Sequence, residues 1–203
     1  MLNRLKPFHN SGNEIIIVDD GSDDNTFQIL SKCNFIKIIH NSTNQGKGFS
    51  LKVGILNATK DGIVIFDGDL ELDPSQIRNL MILDYDKNIK CVFASRYKDL
   101  SMPKSLWDFG NFTFTKLFNF LHGCEIKDAL CCAKSFYRNQ LNPKSLKSKK
   151  FDIDIEIASK LIINHNITHT VYLDYYRRGK NDGKKLKLID SFSILSRLLN
   201  STS

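Results

Sequence analysis

Apolar positions along the chain fall into short runs separated by polar clusters, and the runs alternate between two periods. "EIIIV" (14–18), "FIKIIH" (35–40), "GIVIF" (62–66), "CVFAS" (91–95), "ALCCAKSF" (129–136) and "ITHTVYLDYY" (167–176) are compact and rich in β-branched or aromatic residues, and they read as strands. Helical spacing fills the intervals. "TFQILSKC" follows the turn cluster "DDGSDDNT", and a stretch from Gly46 to Lys60 carries Leu51, Ile55 and Ala58 on one side. Pro74 suits the first turn of a helix to Leu83, and "LWDFGNFTFTKLFNFLHG" stops at Gly123. "FDIDIEIASKLIINH" and residues 186–199 complete the set, the latter with Leu186, Ile189, Phe192, Leu195 and Leu199 on one stripe. The fully apolar "GIVIF" suits a parallel strand covered on both faces. Strands alternating with helices predict an α/β fold, a mostly parallel sheet with helices on both faces. Such sheets bind ligands beyond the carboxyl ends of their strands.

Two acidic clusters fall at strand ends. In "IVIFDGDLELDP", Asp67, Asp69 and Glu71 occupy every second position after the apolar run. Carboxylates that close repel unless a positive charge sits among them. One reading is a hard divalent cation, Mg or Mn, held by one or two carboxylates and by substrate phosphates, with Gly68 permitting close backbone approach. The other is a solvated acidic turn. In "IIIVDDGSDDNT", Asp19 and Asp20 can accept hydrogen bonds from a ribose hydroxyl or a base imide, or can belong to a capped turn opening a helix.

Charge sharpens the picture. The formal charge of +7 is carried by the last third: residues 134–203 hold 14 basic and 6 acidic side chains, against 15 and 16 in residues 1–133. The C-terminal part therefore seeks anions, whether phosphate, nucleic acid or acidic lipid. No groove-entering motif or stacking platform accompanies it, so a nucleic-acid partner is not expected. Five cysteines without a CxxC pair read as reduced core residues, the adjacent Cys131 and Cys132 included. "MLNRLKPFHN" is too polar for a signal peptide, and no apolar run has the length of a membrane span. His122, His165 and His169 lack metal-ligand spacing and read as surface or core residues.

Taken in order, "IIIVDDGSDDNT", "NQGKGFSLKVGI", "IVIFDGDLELDPSQI" and "ASRY" resemble the family 2 glycosyltransferases. "DALCCAKSFYR", "FDIDIEIASKLI" and "VYLDYYRRGKNDGKKLKLIDSF" extend the likeness toward the branch containing dolichyl-phosphate mannose synthase and bacterial polyprenyl-phosphate sugar transferases, over residues 14–197. The resemblance implies a GT-A fold, a UDP- or GDP-hexose donor, a divalent metal, inversion at the anomeric carbon, and a polyprenyl phosphate or saccharide acceptor met at the cytosolic membrane face. It implies nucleotide binding by Asp19, Asp20, Lys47 and Asp67, and metal binding by Asp67, Asp69 and Glu71. Asp128 and Arg96 are the implied catalytic residues, Arg96 lying near the acceptor phosphate. Arg178, Lys184 and Lys185 match a basic loop over the phosphates. On this basis residues 1–203 form a single domain: a nucleotide and metal half (14–133) and a basic acceptor half (134–203) ending in an amphipathic helix. Two departures stand out. Family members begin with a strand and an Asn/Glu turn of the type "VIPAYNE" well before the "VDDGS" strand. Here 13 residues precede Glu14 with no strand-like run, so residues 1–13 are expected to be the remnant of the first helix of an N-terminally truncated domain. Cys131-Cys132 stands where relatives usually carry a small residue such as glycine. A catalytically inactive binding module of the same fold is the competing expectation.

Overall fold

A computed structural model describes residues 1–98, 105–163, 169–178 and 190–201. Helix α1 (Leu2–Asn10) leads into strand β1 (Ile16–Asp19), followed by α2 (Thr26–Leu30), β2 (Lys37–His40), α3 (Lys47–Asn57) and β3 (Gly62–Ile65). A 3₁₀ turn at Pro74–Gln76 runs into the short α4 (Ile77–Leu80), then come β4 (Cys91–Ser95), α5 (Leu106–His122), β5 (Lys134–Tyr137), α6 (Ile153–Ile163), β6 (His169–Tyr172) and α7 (Asp190–Leu199). Of the first 13 residues, Leu2–Asn10 are helical. The helix expected from Pro74 to Leu83 ends at Leu80.

Local chemistry explains the boundaries. The Asp73 carboxylate accepts from the Ser75 amide and Pro74 fills the first turn, where a missing N–H costs nothing. Ser105 caps α5 by accepting from the Asp108 amide, and Gly123 ends it at φ 60°, a left-handed position that favours glycine.

The strands form two sheets. β1 and β2 pair in parallel, and the second sheet has the order β3-β5-β4-β6. Within it β4 and β6 run parallel, whereas β5 lies antiparallel to both β3 and β4. The second sheet is covered on both faces. Ile63, Ile65, Cys91, Phe93 and Phe136 pack with α3, α5, α6 and α7, while Val92, Ala94 and Ala133 face Leu72, Leu80 and Leu173. All five residues of β4 are buried, as its apolar sequence demands.

The first sheet is less protected. Ile16, Ile17 and Val18 are only half-buried despite their β-branched chains. β1 leans on α3, and among the described residues its sole strand partner is β2. Its N-terminal end is fastened toward β3 by Glu14, whose carboxylate accepts from the Thr59 amide at 2.8 Å. α7 also departs from expectation. Ile194 and Leu198 enter the core, whereas Phe192, Leu195 and Leu199 of the anticipated stripe face solvent. Leu186 and Ile189 lie outside the described residues.

Candidate active site

The carboxyl ends of β1 and β3 converge on the N-terminus of α3. Asp19 is buried, and its carboxylate takes a hydrogen bond from His40 Nδ1 at 2.8 Å and others from the Ser22 amide and hydroxyl. Burial opposes the charged form, but the Ser22 and His40 hydrogen bonds outweigh it and hold its pKa below the ordinary value. Asp20 works on the loop before α3, accepting from the amides of Gln45 (2.9 Å) and Gly46 (2.8 Å) and from Asn41 Nδ2 (2.8 Å). Its pKa is likewise lowered, burial being outweighed by those donors. Gly46 has φ 94°, and a Cβ there would lie 2.4 Å from the Lys149 carbonyl oxygen. That tight approach sets Lys47 at the first position of the helix.

Lys47 is the hinge of this end. Its Nζ donates to Asp67 Oδ2 at 2.9 Å and to Asp154 Oδ2 at 2.8 Å. Burial disfavours the ammonium, but the Asp154 and Asp67 carboxylates raise its pKa well above the usual lysine value. Asp67 is lowered in return: Lys47 overcomes the burial penalty, with help from the Cys132 thiol.

Beyond Asp67 the chain folds back on itself. Leu70 adopts φ 63°, which few non-glycine residues do, and the Glu71 amide donates to Asp69 Oδ1 at 3.0 Å. Arg178 meets the turn: its Nη2 lies 2.8 Å from Asp69 Oδ2, its Nε 3.8 Å from Glu71 Oε1, and its backbone amide donates to Glu71 Oε1 at 3.1 Å. Even so, the Asp69 carboxyl is pushed up, first by burial and then by the neighbouring Asp67 and Glu71 carboxylates, against the pull of the Glu71 amide and Arg178. Among the described residues, Asp69 and Glu71 address the same guanidinium, that of Arg178. The turn's all-oxygen donor set is the kind a hard divalent cation takes. Among the described residues no group of three or more His, Cys, Asp or Glu side chains is placed to hold a metal ion. A cation here would rest on one or two carboxylates and draw its remaining oxygens from a ligand, which is the usual habit of Mg²⁺.

The third cluster lies at the end of β4. Arg96 donates from Nε to Asp128 Oδ2 (2.8 Å) and from Nη2 to Asp128 Oδ1 (2.9 Å), and its backbone amide adds a third bond at 3.2 Å. Both oxygens of the buried Asp128 thereby accept from Arg96, while Nη1 of Arg96 makes no hydrogen bond among the described residues. The guanidinium lies 5.6 Å from the Tyr97 ring and 5.5 Å from the Tyr175 ring. Tyr97 Oη donates to Asp108 at 2.9 Å, and Arg177 reaches Asp108 and Ser105 at the start of α5. Cys131 and Cys132 connect the clusters. Hydrogen bonding to Cys131 and burial push the Cys132 thiol well up, with Asp67 adding to the effect. Cys132 therefore stays protonated, and all five cysteines are free.

Residues 2–142, more than half of the chain, match the family described as Glycosyl transferase family 2. The chain belongs to glycosyl transferase family 2. A relative matching nearly all of it, at 26% identity over 94% of this chain and 85% of its own length, is the UDP-N-acetylglucosamine–dolichyl-phosphate N-acetylglucosaminyltransferase of Methanococcus voltae. The poly-β-1,6-N-acetyl-D-glucosamine synthase of Staphylococcus epidermidis is 36% identical over 38% of this chain and 19% of its own. This family 2 chain spans between a fifth and about half of the length of several curated relatives, covering 27%, 52% and 19% of three of them. Among solved structures, glucosyl-3-phosphoglycerate synthase of Mycobacterium tuberculosis with Mn²⁺, UDP and phosphoglyceric acid superposes with a TM-score of 0.70, at 16% identity, over 100% of this chain and 72% of that one. The likeness fixes the GT-A architecture of this family 2 member.

Within that architecture most of the anticipated site residues come together. Asp19 and Asp20 sit beside the α3 loop, Lys47 joins Asp67, Asp69 and Glu71 share Arg178, and Arg96 joins Asp128. Lys184 and Lys185 lie outside the described residues. Asp128, expected among the catalytic residues, accepts from Arg96 through both of its oxygens. Sequence reading missed Asp154, Asp108, Tyr97, Tyr175 and Arg177. For Asp154 a signal existed, since acids at positions 152, 154 and 156 interrupt an otherwise apolar helix and a buried acid needs a partner.

Proposed function

We propose that this family 2 chain is an inverting hexosyltransferase that depends on a divalent cation, Mg or Mn. It takes a UDP- or GDP-hexose and passes the sugar to a polyprenyl or dolichyl phosphate at the cytosolic membrane face. The carrying observation is the gathering of Asp67, Asp69 and Glu71 with the cations Lys47 and Arg178 at one end of the sheet. When bound, the divalent cation stabilises negative charge developing on the departing diphosphate. The chain's own residues do the rest. Lys47 holds Asp67 ionised and oriented. Asp20 fixes the α3 loop beside the donor end. Arg96, locked by Asp128 and flanked by two tyrosine rings, keeps Nη1 for an acceptor phosphate, for which the guanidinium fork is suited. A phosphate acceptor is already anionic near neutral pH, so the site needs cations rather than a general base.

Names of relatives support the acceptor: those of M. voltae and Trichomonas vaginalis both contain dolichyl-phosphate. The surface supports it as well. Phe109 and Phe120 of α5 and Phe192 of α7 are 55%, 83% and 76% exposed, apolar rings of the kind that enter lipid headgroups. Among the described residues no helix is long and apolar enough to cross a membrane.

The test is release of UDP or GDP from UDP-glucose, UDP-N-acetylglucosamine and GDP-mannose, with Mn²⁺ and a short polyprenyl phosphate, followed by chromatography of the lipid product. Turnover with one donor is expected, abolished by chelation and lowered on the order of 10²-fold or more in Asp69→Ala. Equal inactivity of wild type and variant across the panel would refute it. The half-buried β1 favours a second reading, a binding module without catalysis. That reading predicts no nucleotide-induced rise in melting temperature, so a Mn²⁺-dependent rise with UDP or GDP removes it.

A further inference from the structure

Arg178 occupies an unexpected place. The family likeness assigns it to a loop over the phosphates, yet its guanidinium lies against the two acids of the turn, 2.8 Å from Asp69 Oδ2 and 3.8 Å from Glu71 Oε1. The contact is built rather than incidental. The left-handed Leu70 folds the turn so that its flanking carboxylates address one cation. The neighbouring backbone is tied down independently, with Tyr176 N donating to the Glu71 carbonyl at 2.8 Å and Tyr175 bridged to Leu72. The Arg178 amide itself donates to Glu71 Oε1 at 3.1 Å. The side chain can therefore leave while its Cα stays beside the site.

A guanidinium cannot shed its proton at any accessible pH, so it remains a full positive charge wherever it sits. Two cations on one pair of carboxylates repel strongly in a partly buried setting. Resting on the metal-dependent reading above, we infer that the Arg178 guanidinium and the divalent cation are alternative occupants of the Asp69–Glu71 carboxylates, so that cation binding releases Arg178 to take an anionic group of the substrate. Arg178 is thus a positioning residue that holds the acids neutralised and gathered before the cation arrives. Because the exchange needs a new partner for the guanidinium, cation and anion binding reinforce each other, and each must strengthen the other by the same factor.

The experiment titrates the full chain with Mn²⁺, reading free Mn²⁺ by electron paramagnetic resonance, with and without pyrophosphate. Wild type, Arg178→Gln, Arg178→Lys and Asp69→Asn are compared, each first checked for an unchanged melting profile. Arg178→Gln is expected to bind Mn²⁺ alone about 5-fold or more tighter than wild type, and to lose most of the enhancement by pyrophosphate. Arg178→Lys, which keeps the charge without the fork, falls between them. General damage to the fold would weaken binding rather than tighten it. If Arg178→Gln and Arg178→Lys bind Mn²⁺ as wild type does or more weakly, with Asp69→Asn weaker still, the exchange is wrong and the metal-dependent reading survives. If wild type and all variants fail to bind Mn²⁺ with or without pyrophosphate, the exchange and the reading beneath it fall together.

Discussion

The pairing of Arg96 with Asp128 shows how a single residue's surroundings decide its role. Asp128 is 1% exposed and meets the guanidinium through both oxygens. A carboxylate so engaged is a good clamp. Removing it would strand a buried cation, and breaking such a pair typically costs about 3–5 kcal/mol. Asp128→Ala is therefore expected to lower unfolding stability by that amount in urea titration, with Asp128→Asn losing distinctly less because its amide oxygen can still accept. Equal losses for the two variants would show that charge, not hydrogen-bond geometry, keeps Arg96 in place. At this scale the sequence was readable where a residue type has few uses. Alternating acids behind an apolar strand left a cation or solvent as their company, and Asp67, Asp69 and Glu71 meet Lys47 and Arg178. What could not be read was which cation each would find. Lys47 reaches Asp154 across 107 positions, and Arg178 reaches Asp69 across 109. Such distant partners are set by the packing of whole elements, which no local pattern specifies.

Helix α3 carries the same lesson for elements. "NQGKG" reads locally as a loop opening a helix. The fold gives its glycines a purpose. A Cβ on Gly48 would lie 2.4 Å from the Ser148 carbonyl oxygen, and the Gly48 amide donates to the Lys149 carbonyl at 2.9 Å. The 147–148 segment in turn is held by the buried Glu156 of α6, which accepts from the amides of Lys147 and Ser148. Backbone is packed on backbone, so a side chain there has nowhere to go. Gly48→Ala is expected to cost about 1–3 kcal/mol by overpacking and to loosen Lys47 from Asp154, visible as a lower thermal midpoint together with weaker nucleotide binding. A midpoint unchanged from wild type would mean that the 148–149 segment yields freely. The strands from β1 to β4 were legible because apolar β-branched runs bounded by turn residues have few alternatives. The direction of β5 was not. "ALCCAKSF" is as apolar as a parallel strand, and its composition does not disclose its antiparallel course between β3 and β4. The apolar stripe of α7 misled in another way, since period alone does not say which side of a helix meets the core.

For the molecule as a whole, the division into two sheets matters most. The carbonyls of Ile15 and Asp19 accept from the amides of Lys37 and Asn41, so alternate residues of β1 turn toward β2. The amides of Ile16 and Val18 consequently turn the other way, and among the described residues β1 pairs with no strand on that side. Ile16 to Val18 remain half-buried, while Val92 and Ala94 in β4 are 0% and 1% exposed. Unpaired edge amides exchange readily and paired core amides do not, because protection follows the free energy of local opening. Hydrogen exchange followed by NMR should therefore show an alternating pattern in β1, with Ile16 and Val18 exchanging roughly 10-fold or more faster than Ile17, and the β4 amides slowest. In the proposed site the Asp19–Asp20 part of the donor end lies on this less protected sheet and the Arg96 cluster on the well-buried one, so nucleotide with Mn²⁺ should slow β1 far more than β4. Uniform protection along β1 in the ligand-free chain would mean that its open edge is already covered, for instance by a second copy adding a strand. The donor end would then be preorganised rather than ordered by its ligand.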